Sequence, residues 1–506
     1  MDTLVQLAQG VLVCLQPFNL LMLFLGVVFG LLVGILPGLT LVMGVVLFLP
    51  FTYQMDVTSA IILLAAMYTA GTYGGAFTAI LFRIPGEPID VPMLWDGYTM
   101  ARAGQPAKAL GWTMIAAFMG GTLSAIIMVV LTEPAAKFAL RFSSPEYFAV
   151  IVFGLASVVS LAQSSLANAL ISLCLGLAIA TVGTDTTYGA SRFTFDLPIL
   201  ADGIEFLVVM VGAYGVAEVL TRLERGFASA GVTSKTTTRT ELPSLRELNS
   251  VKGTLLRSTI LGNVIGIIPG AGATIASFVS YGVEGQVGRR KALLGSGIPE
   301  GIVAPQSAAT ASVGGAMVPL LAIGIPGSGA TAVILGAFML HGIQPGPQVM
   351  LTSGDMIYAI FASIFLAILL MSVLGFFAIR PLVKILDAPE AVVSAFVIVF
   401  CFMGALSIRS NVTDLWLVIA FGVIGYVFER LRFPIAPLVL GVILGPLAEE
   451  SFLNAMISNS NDWTVFFTRP ISAVLMALTV LAVLLPALGA LRLRMRSPEM
   501  EAKSGA

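Results

Sequence analysis

Two proline-glycine breaks interrupt long apolar stretches at matching places in this chain. GILPG occupies residues 34–38 and GIIPG occupies residues 266–270. Proline lacks a backbone N–H and its ring clashes with the preceding turn, whereas glycine readily becomes left-handed, so each pair predicts the end of a helix. Backbone groups freed inside a membrane must find partners in protein or in a watery cavity. The pattern therefore predicts two discontinuous helices around a cavity.

Composition defines the class of protein. Of 506 residues, 58% are hydrophobic and only 10% are charged, and the mean hydropathy is +0.99. Apolar runs of spanning length recur from end to end, which predicts an all-α polytopic membrane protein of about 10 to 14 transmembrane helices. The net charge of −1 gives no support to nucleic-acid binding.

Three blocks recur in the same order, which predicts an internal repeat. Gly34 matches Gly266 at an offset of 232 residues, and Gly86, which ends YGGAFTAILFRIPG, matches Gly327 at an offset of 241. EPAAKFALRFSSPEYFAVIVF resembles RPLVKILDAPEAVVSAFVIVF at an offset of 247. We predict a first membrane repeat at 1–220, a linker at 221–258, a second repeat at 259–491 and a tail at 492–506.

Charge placement predicts the sidedness of these segments. The linker and the tail are rich in arginine and lysine, so the positive-inside rule places both in the cytoplasm. Loops after the first and second blocks carry opposite amounts of positive charge in the two halves, whereas both members of the third block are basic. Two comparisons of three thus favour inverted repeats with broken or re-entrant helices.

A substrate site is predicted where the breaks meet. Ile84-Pro85-Gly86 and Ile325-Pro326-Gly327 add a second pair of breaks, and short residues beyond each break open new helices. Helix N-termini with free N–H groups bind carboxylates without lysine or arginine. The alternative is that the glycines serve helix packing and the prolines only kink. The predicted substrate-binding residues are Pro37, Gly38, Thr40, Arg83, Pro85, Gly86, Pro269, Gly270, Gly272, Thr274, Pro326, Gly327, Ser328 and Thr331.

Polar residues in apolar surroundings are further candidates. Arg83 directly precedes a break and could bind a substrate carboxylate through two parallel N–H bonds. Snorkelling of its side chain to the membrane interface explains an arginine at this position equally well. Gln306, Ser307 and Thr310 lie inside an apolar run, where their oxygens could coordinate a coupling ion. Interhelical hydrogen bonding is the alternative for these three residues.

Other charged residues are expected to have structural roles. Asp96 precedes a helix-like stretch and is expected to cap that helix. Glu284 and Glu300 flank a basic loop and are expected to be solvated. No P-loop or HExxH motif is present and the chain has one histidine, so neither a P-loop ATPase nor a zinc protease is indicated. We expect no enzymatic activity and no cofactor beyond Na⁺ or H⁺ as a coupling ion.

Five ordered motifs resemble the large membrane subunit, TctA, of bacterial tripartite tricarboxylate transporters. They are GILPGLT, IPGEPIDVPMLWDGYTMARAGQPAKAL, RFTFDLPILADGIEF, GIIPGAGATIASFVSYGVE and GGAMVPLLAIGIPGSGATAVILGAFMLHGIQPGP. The resemblance spans nearly the whole chain. The resemblance implies a permease of the bacterial inner membrane that imports organic di- or tricarboxylates, driven by a sodium or proton gradient. It also implies two partners, a small four-helix TctB-like membrane subunit and a periplasmic TctC-like solute-binding protein.

One motif departs from the family pattern. Where the family reads close to APExANNA, residues 304–311 read APQSAATA, which removes a carboxylate and an asparagine pair. Ion coupling or substrate choice could therefore differ from that of the family.

By analogy with other transporters the motion is an elevator step or rocking about a fixed site. An uncoupled channel or uniporter for small organic anions is the alternative function.

Overall fold

The computed structural model describes residues 2–36, 39–161, 165–185, 189–226, 240–377, 389–409 and 411–484. Almost all of them are helical. The helices are α1 Asp2–Cys14, α2 Pro17–Ile35, α3 Leu41–Thr52, α4 Val57–Phe82, α5 Met93–Arg102, α6 Pro106–Ala139, α7 Ser144–Leu161, α8 Leu166–Ala180, α9 Pro198–Ala201, α10 Phe206–Met210, α11 Ala217–Arg225, α12 Leu245–Ile267, α13 Gly272–Val287, α14 Glu300–Ile323, α15 Gly329–Leu340, α16 Pro347–Thr352, α17 Gly354–Phe377, α18 Glu390–Arg409, α19 Val412–Arg430, α20 Ile435–Ser458, α21 Val465–Thr468 and α22 Pro470–Leu484.

Short elements complete the described chain. A π-helical turn, Val211–Val216, joins α10 to α11, and 3₁₀ turns form at Pro88–Asp90 and Lys291–Leu293. The strands β1, Gly183–Thr184, and β2, Ser191–Arg192, form a small antiparallel ribbon.

The predicted all-α polytopic membrane protein is confirmed. Within the described residues, nine helical segments are long and apolar enough to cross a membrane: Pro17–Ile35, Val57–Phe82, Pro106–Ala139, Ser144–Leu161, Phe206–Arg225, Glu300–Ile323, Gly354–Phe377, Val412–Arg430 and Ile435–Ser458. Six shorter apolar helices of 10 to 17 residues accompany them. These include α3 and α15, which begin just after predicted breaks, as expected for interrupted spans.

The chain divides into two compact units. The first unit comprises Met1–Leu140 with Met210–Ile424, and the second comprises Arg141–Val209 with Gly425–Ala506. Each unit therefore takes segments from both sides of the predicted linker. Residues 245–258 of that linker form the start of α12, while its part 227–239, the tail 492–506 and residues 380–388 of the later third block lie outside the described residues. The repeat boundaries stay a prediction.

Helices α4 and α14 form the core of the first unit. The most apolar 18-residue stretch of α4 is entirely buried, and 94% of the corresponding stretch of α14 is buried. Neither helix has an amphipathic pattern. Helix α2 packs on α4 through small residues, because a Cβ on Gly26 or Gly34 would lie 2.5 or 2.6 Å from the carbonyl oxygen of Leu63 or Gly71. Gly30 lies four residues from each, and a Cβ there would collide with the Met67 carbonyl oxygen. Such close backbone approach is typical of glycines at this spacing in membrane helices.

The pair α12 and α14 repeats that packing. A Cβ on Gly266 would lie 2.5 Å from the Ser312 carbonyl oxygen, and one on Gly262 would collide with that of Ala308. Gly266 lies 232 residues after Gly34, and Ser312 lies 241 residues after Gly71, which are the offsets of the first two sequence blocks. The blocks thus build the same helix contact twice, while common descent and inversion of the halves remain predictions.

The second unit has its own core. Helices α7 and α8 pack on α20, with Gly176 against the backbone of Leu438. Phe148 and Phe452 cover a small buried cluster at the end of α20. The Arg469 guanidinium lies 2.9 Å from the buried carboxylate of Glu146 at the start of α7, which ties the segment after α21 to this core.

Candidate functional site

The two breaks of the later half meet directly. The backbone N–H of Gly270 donates to the carbonyl oxygen of Gly327 at 3.1 Å, so the turn before α13 is joined to the turn before α15. Gly270 has φ +82° and Gly272 has φ +61°, backbone conformations that residues other than glycine rarely adopt. A Cβ on Gly272 would lie 3.7 Å from that of Ser328, which places the two helix starts side by side.

Ser328 caps α15 and reaches an earlier helix. Its hydroxyl accepts from the N–H of Thr331 at 3.3 Å, and the Thr331 hydroxyl accepts from the Ser328 N–H at 2.8 Å, which forms a capping box. The Ser328 hydroxyl also donates to the hydroxyl of Tyr68 on α4 at 3.1 Å. All three side chains are buried, so α4 supplies a polar contact inside the first unit.

The start of α3 lies against the same place. Thr40 caps α3 by accepting from the N–H of Met43 at 3.2 Å. The carboxylate of Glu87, which follows the IPG break at 84–86, accepts from the N–H of Leu41. Val42, in the first turn of α3, packs against Gly329 at the start of α15. We name Thr40, Tyr68, Glu87, Gly270, Gly272 and Ser328 the helix-start cluster.

Two acids occupy the earlier IPG turn. Asp90 is 2% exposed and accepts from the N–H of Glu87 at 3.0 Å. Ser277 on α13 donates to the carbonyl oxygen of Ile89 at 2.8 Å, which fastens this turn to α13. Within the described part of the chain neither acid forms an ion pair. Two carboxyl groups so close together and without a cation oppose each other's ionised form.

Helix α13 offers the open helix start of the cluster. Where α3 and α15 are capped by Thr40 and Ser328, the N-cap residue Ala271 places no side-chain oxygen on the first N–H groups of α13. Thr274 is half-buried in its first turn. Because unpaired N–H groups and the helix dipole both favour negative charge, this end of α13 is suited to a carboxylate.

Gly86 and Gly327 serve packing as well as turning. A Cβ on Gly327 would lie 2.5 Å from the Gly266 carbonyl oxygen, and one on Gly86 would collide with the Gly34 carbonyl oxygen and the backbone of Gly75. The packing alternative therefore describes the contacts of these two glycines, while their substrate role remains a prediction. Pro85, Pro269 and Pro326 lie in the turns between helices, where their missing N–H leaves no donor unpaired, and Pro37 and Gly38 lie outside the described residues.

The predicted coupling residues divide into two places on α14. Gln306 donates to the carbonyl oxygen of Thr72 on α4 at 3.1 Å and to the hydroxyl of Thr310 at 3.0 Å. Ser307 donates to the Val303 carbonyl oxygen at 2.6 Å within its own helix, against Gly120 of α6. Interhelical hydrogen bonding thus describes the contacts of Gln306, while the coupling role remains a prediction.

Arg83 lies apart from the other predicted substrate residues. It ends α4 with φ +60°, its side chain is exposed, and its guanidinium carbon lies 5.7 Å from the ring centroid of Tyr98. It lines a cleft of about 630 Å³ with Trp95, Tyr98 and Arg102, to which no other predicted substrate residue contributes.

The structure corrects the expectations for three acids. Glu284 and Glu300 are 2% and 5% exposed rather than solvated, since Glu284 pairs with Arg257 and Glu300 accepts two bonds from Arg290 at 2.8 and 2.6 Å. Asp96 does not cap its own helix. Its carboxylate accepts from the N–H groups of Gly295, Gly297 and Ile298 and from the hydroxyl of Tyr281, and so holds the segment before α14 against α5.

Sequence reasoning missed Tyr68 and Glu87. Tyr68 lies in an apolar run without a local signal of function. Glu87 could have been found by aligning the two IPG breaks, because it occupies the position of Ser328 at the offset of 241. Within the described ranges, no three His, Cys, Asp or Glu side chains form a metal-binding group.

Broken helices whose starts meet at a buried polar place are typical of membrane transport proteins. The sequence pattern of the tripartite tricarboxylate transporter TctA family matches residues 20–440, and this chain belongs to that family. It is therefore the membrane component of a tricarboxylate transporter.

Two relatives from Agrobacterium vitis are similar to this chain. An uncharacterized 52.8 kDa protein in the TAR-I ttuC' 3' region is 37% identical over 493 residues, which cover 97% of this chain and 98% of the relative. An uncharacterized protein in the TAR-II ttuC' 3' region is 39% identical over 231 residues, covering 46% of this chain and 96% of that relative. No solved structure matches this chain.

Proposed function

We propose that this chain is the permease subunit of a binding-protein-dependent secondary transporter that imports organic di- or tricarboxylates across the bacterial inner membrane. A periplasmic TctC-like protein delivers the acid, a small TctB-like subunit accompanies the permease, and a sodium or proton gradient drives uptake. Membership of the TctA family supports the substrate class and the partners. The observation that carries the proposal is the meeting of α3, α13 and α15, with the start of α13 open.

The later half of the cluster is suited to the anion. The first N–H groups of α13 and the hydroxyl of Ser328 lie together. The N–H groups can donate to a carboxylate directly, and the Ser328 hydroxyl can do so by turning its hydrogen away from Tyr68. Donors fixed in a helix start need no reorganisation when the substrate arrives. In this proposal one carboxylate of the substrate docks there, with Gly270 and Gly272 giving the backbone room to approach.

The earlier half is suited to the coupling cation. Glu87 and Asp90 supply carboxylate oxygens that a proton or a sodium ion would neutralise, and the anion then enters without repulsion. This order links the cation to the substrate, as symport requires. Gln306, Ser307 and Thr310 are the second candidate for ion coupling. The Gln306 amide nitrogen donates to the Thr72 carbonyl oxygen and to the Thr310 hydroxyl, so two oxygens that a cation could take over lie beside one side chain.

Uptake by reconstituted protein tests this function. Proteoliposomes that contain the chain, its small partner and a matching binding protein are given labelled di- and tricarboxylates under a sodium gradient, a proton gradient or neither. We expect concentrative uptake under one gradient, abolished by the matching ionophore. Equilibration without accumulation would instead identify a uniporter, and absence of uptake under every condition would contradict the proposal.

Ser328→Ala tests the position of the site. Loss of one hydrogen bond to a charged group is expected to raise the substrate concentration for half-maximal uptake about tenfold. Ser250→Ala is the matched control, because Ser250 is exposed and donates only to the Glu247 carbonyl oxygen one turn back. Equal uptake by the two variants would remove Ser328 from the substrate site.

A further inference from the structure

The cleft beside α5 has the chemistry of an anion site. Its volume is about 630 Å³, and its walls include Arg83, Trp95, Tyr98, Arg102, Tyr281 and Gly295. The Trp95 ring lies 4.7 Å from that of Tyr281, so the aromatic wall is continuous. The hydroxyl of Tyr281 donates to Asp96 at 2.9 Å, which fixes this wall to α5.

Both guanidinium groups of the cleft lack a carboxylate partner. Two other arginines of the first unit pair with buried acids, Arg257 with Glu284 and Arg290 with Glu300. Arg83 and Arg102 form no ion pair within the described residues. Asp96, the nearest acid of α5, is fully buried and occupied by three N–H donors and the Tyr281 hydroxyl. Two positive charges thus face one opening.

The backbone at Arg83 adds an independent observation. Arg83 has φ +60°, whereas Gly324, its counterpart at the offset of 241, has φ +84°. A side chain in this conformation costs roughly 1 kcal/mol relative to glycine. Strain kept at such a position is typical of a functional residue, here the arginine over Tyr98.

We propose that this cleft is a second anion site, in which Arg83 and Arg102 bind one small organic carboxylate as it leaves the helix-start cluster. The identity of this ligand rests on the proposed function. The positive-inside rule places the cleft at the cytoplasmic end, because Arg83 and Arg102 lie in the basic segment 83–108, and Gly295 follows Arg289 to Lys291. Arginine forks bind carboxylates through two parallel N–H bonds, and aromatic faces exclude water around them.

Binding is measured with the full chain in nanodiscs of zwitterionic lipid. Citrate and inorganic phosphate are titrated at constant ionic strength while tryptophan emission is recorded, and Trp95→Phe isolates the signal of Trp95. We expect a saturable change with citrate that disappears in Trp95→Phe. Absence of a saturable change in the parent chain, or the same change in Trp95→Phe, would overturn the proposal.

Arginine variants test which groups bind. Arg83→Gly and Arg102→Gln are each expected to weaken citrate binding about tenfold, since each removes a charge-assisted contact. Arg83→Gly also removes the strained side chain, so it is expected to fold. Arg289→Gln, an exposed arginine outside the cleft, is the charge-matched control and is expected to stay within about twofold of the parent chain. Equal weakening by all three variants would indicate a general charge effect and overturn the site.

Lipid composition separates a free anion from a headgroup. The same titration is repeated in nanodiscs that contain anionic phospholipid. We expect citrate to bind in both discs. If anionic lipid alone moves the Trp95 emission to its saturated value and citrate changes nothing, the occupant is a lipid phosphate and the carboxylate proposal fails.

A further comparison separates this proposal from the transport function. Ser328→Ala is expected to impair uptake and to keep the citrate titration of the cleft. Intact titration in a chain that never transports carboxylates would contradict the transport function alone. Unimpaired transport by a chain without titration would contradict the cleft alone.

Discussion

The two IPG turns share a backbone and differ in chemistry. In each, a left-handed residue, Arg83 or Gly324, ends the preceding helix, and a glycine two residues after the isoleucine packs on a carbonyl oxygen of the neighbouring helix. The residue after that glycine is Glu87 in the earlier turn and Ser328 in the later one. The earlier turn therefore presents acids, and the later turn presents hydroxyl groups.

This difference teaches that packing and chemistry are separable in such a site. Close packing of the two glycines requires the absence of a side chain, whichever half they belong to. The residue that follows each glycine lies beside a helix start. It can be an acid that favours a cation, as Glu87 is, or a hydroxyl residue that can donate to an anion, as Ser328 is. One turn can then attract a cation while the other leaves room for an anion, without a lysine or arginine in the cluster.

The largest effect is expected from Gly86→Val and Gly327→Val. Each new side chain would meet backbone atoms, which cannot move aside as a flexible side chain can, so each variant should lose about 3 kcal/mol or more of stability. Folded yield and thermal unfolding in detergent measure this loss. Gly282→Ala on α13, where a Cβ meets no atom within 4 Å, is the control and should retain the parent stability. A Gly327→Val protein with native stability but no uptake would show that this glycine serves substrate approach instead.

Glu87→Gln is expected to separate uptake from its driving gradient. The amide keeps an oxygen for the Leu41 N–H but cannot take up a proton or balance a sodium ion. Accumulation against a gradient should be lost, while exchange of labelled for unlabelled substrate continues. Concentrative uptake by Glu87→Gln would remove Glu87 from coupling and return attention to Gln306 and Thr310.

Opposite effects on stability are expected at the two left-handed positions. Arg83→Gly should stabilise the fold by about 1 kcal/mol, and Gly324→Ala should destabilise it by at least about that amount. The alanine Cβ would in addition lie 2.5 Å from the carbonyl oxygen of Pro345. Thermal unfolding of the two variants under one condition tests the comparison, and a shift of the same sign in both would break it.

The smallest effect is expected at a surface acid. Lys108 and the backbone and hydroxyl of Ser244 lower the pKa of Glu247 to about 2. A lowered pKa stabilises the fold above the ordinary value of about 4.3, and this contribution disappears as the pH falls towards 2. Because Glu247 and Lys108 are 39% and 31% exposed, Glu247→Gln should cost less than about 1 kcal/mol. The Glu247→Gln substitution should not alter the pH dependence of unfolding between pH 5 and 8. A changed dependence in that range would contradict the lowered pKa of Glu247.

Much of the cluster could be predicted from local sequence. Proline and glycine at 266–270 and 325–327 end α12 and α14 where expected, since missing donors and left-handed turns are properties of those residues alone. The partners of Glu284 and Glu300 were not predictable in the same way. Their arginines lie 27 and 10 residues away in sequence and approach only after the helices pack.

The sequence by itself determined the membrane class, the helical content and the positions of the breaks, because hydropathy, proline and glycine act locally. Only the tertiary structure decided which helix starts meet, which of them keep open N–H groups, and that Arg83 faces a separate cleft. Tyr68 meets Ser328 across 260 residues of sequence, and Leu41 meets Glu87 across 46. Such contacts depend on the packing of helices distant in the chain, which no local pattern of residues encodes.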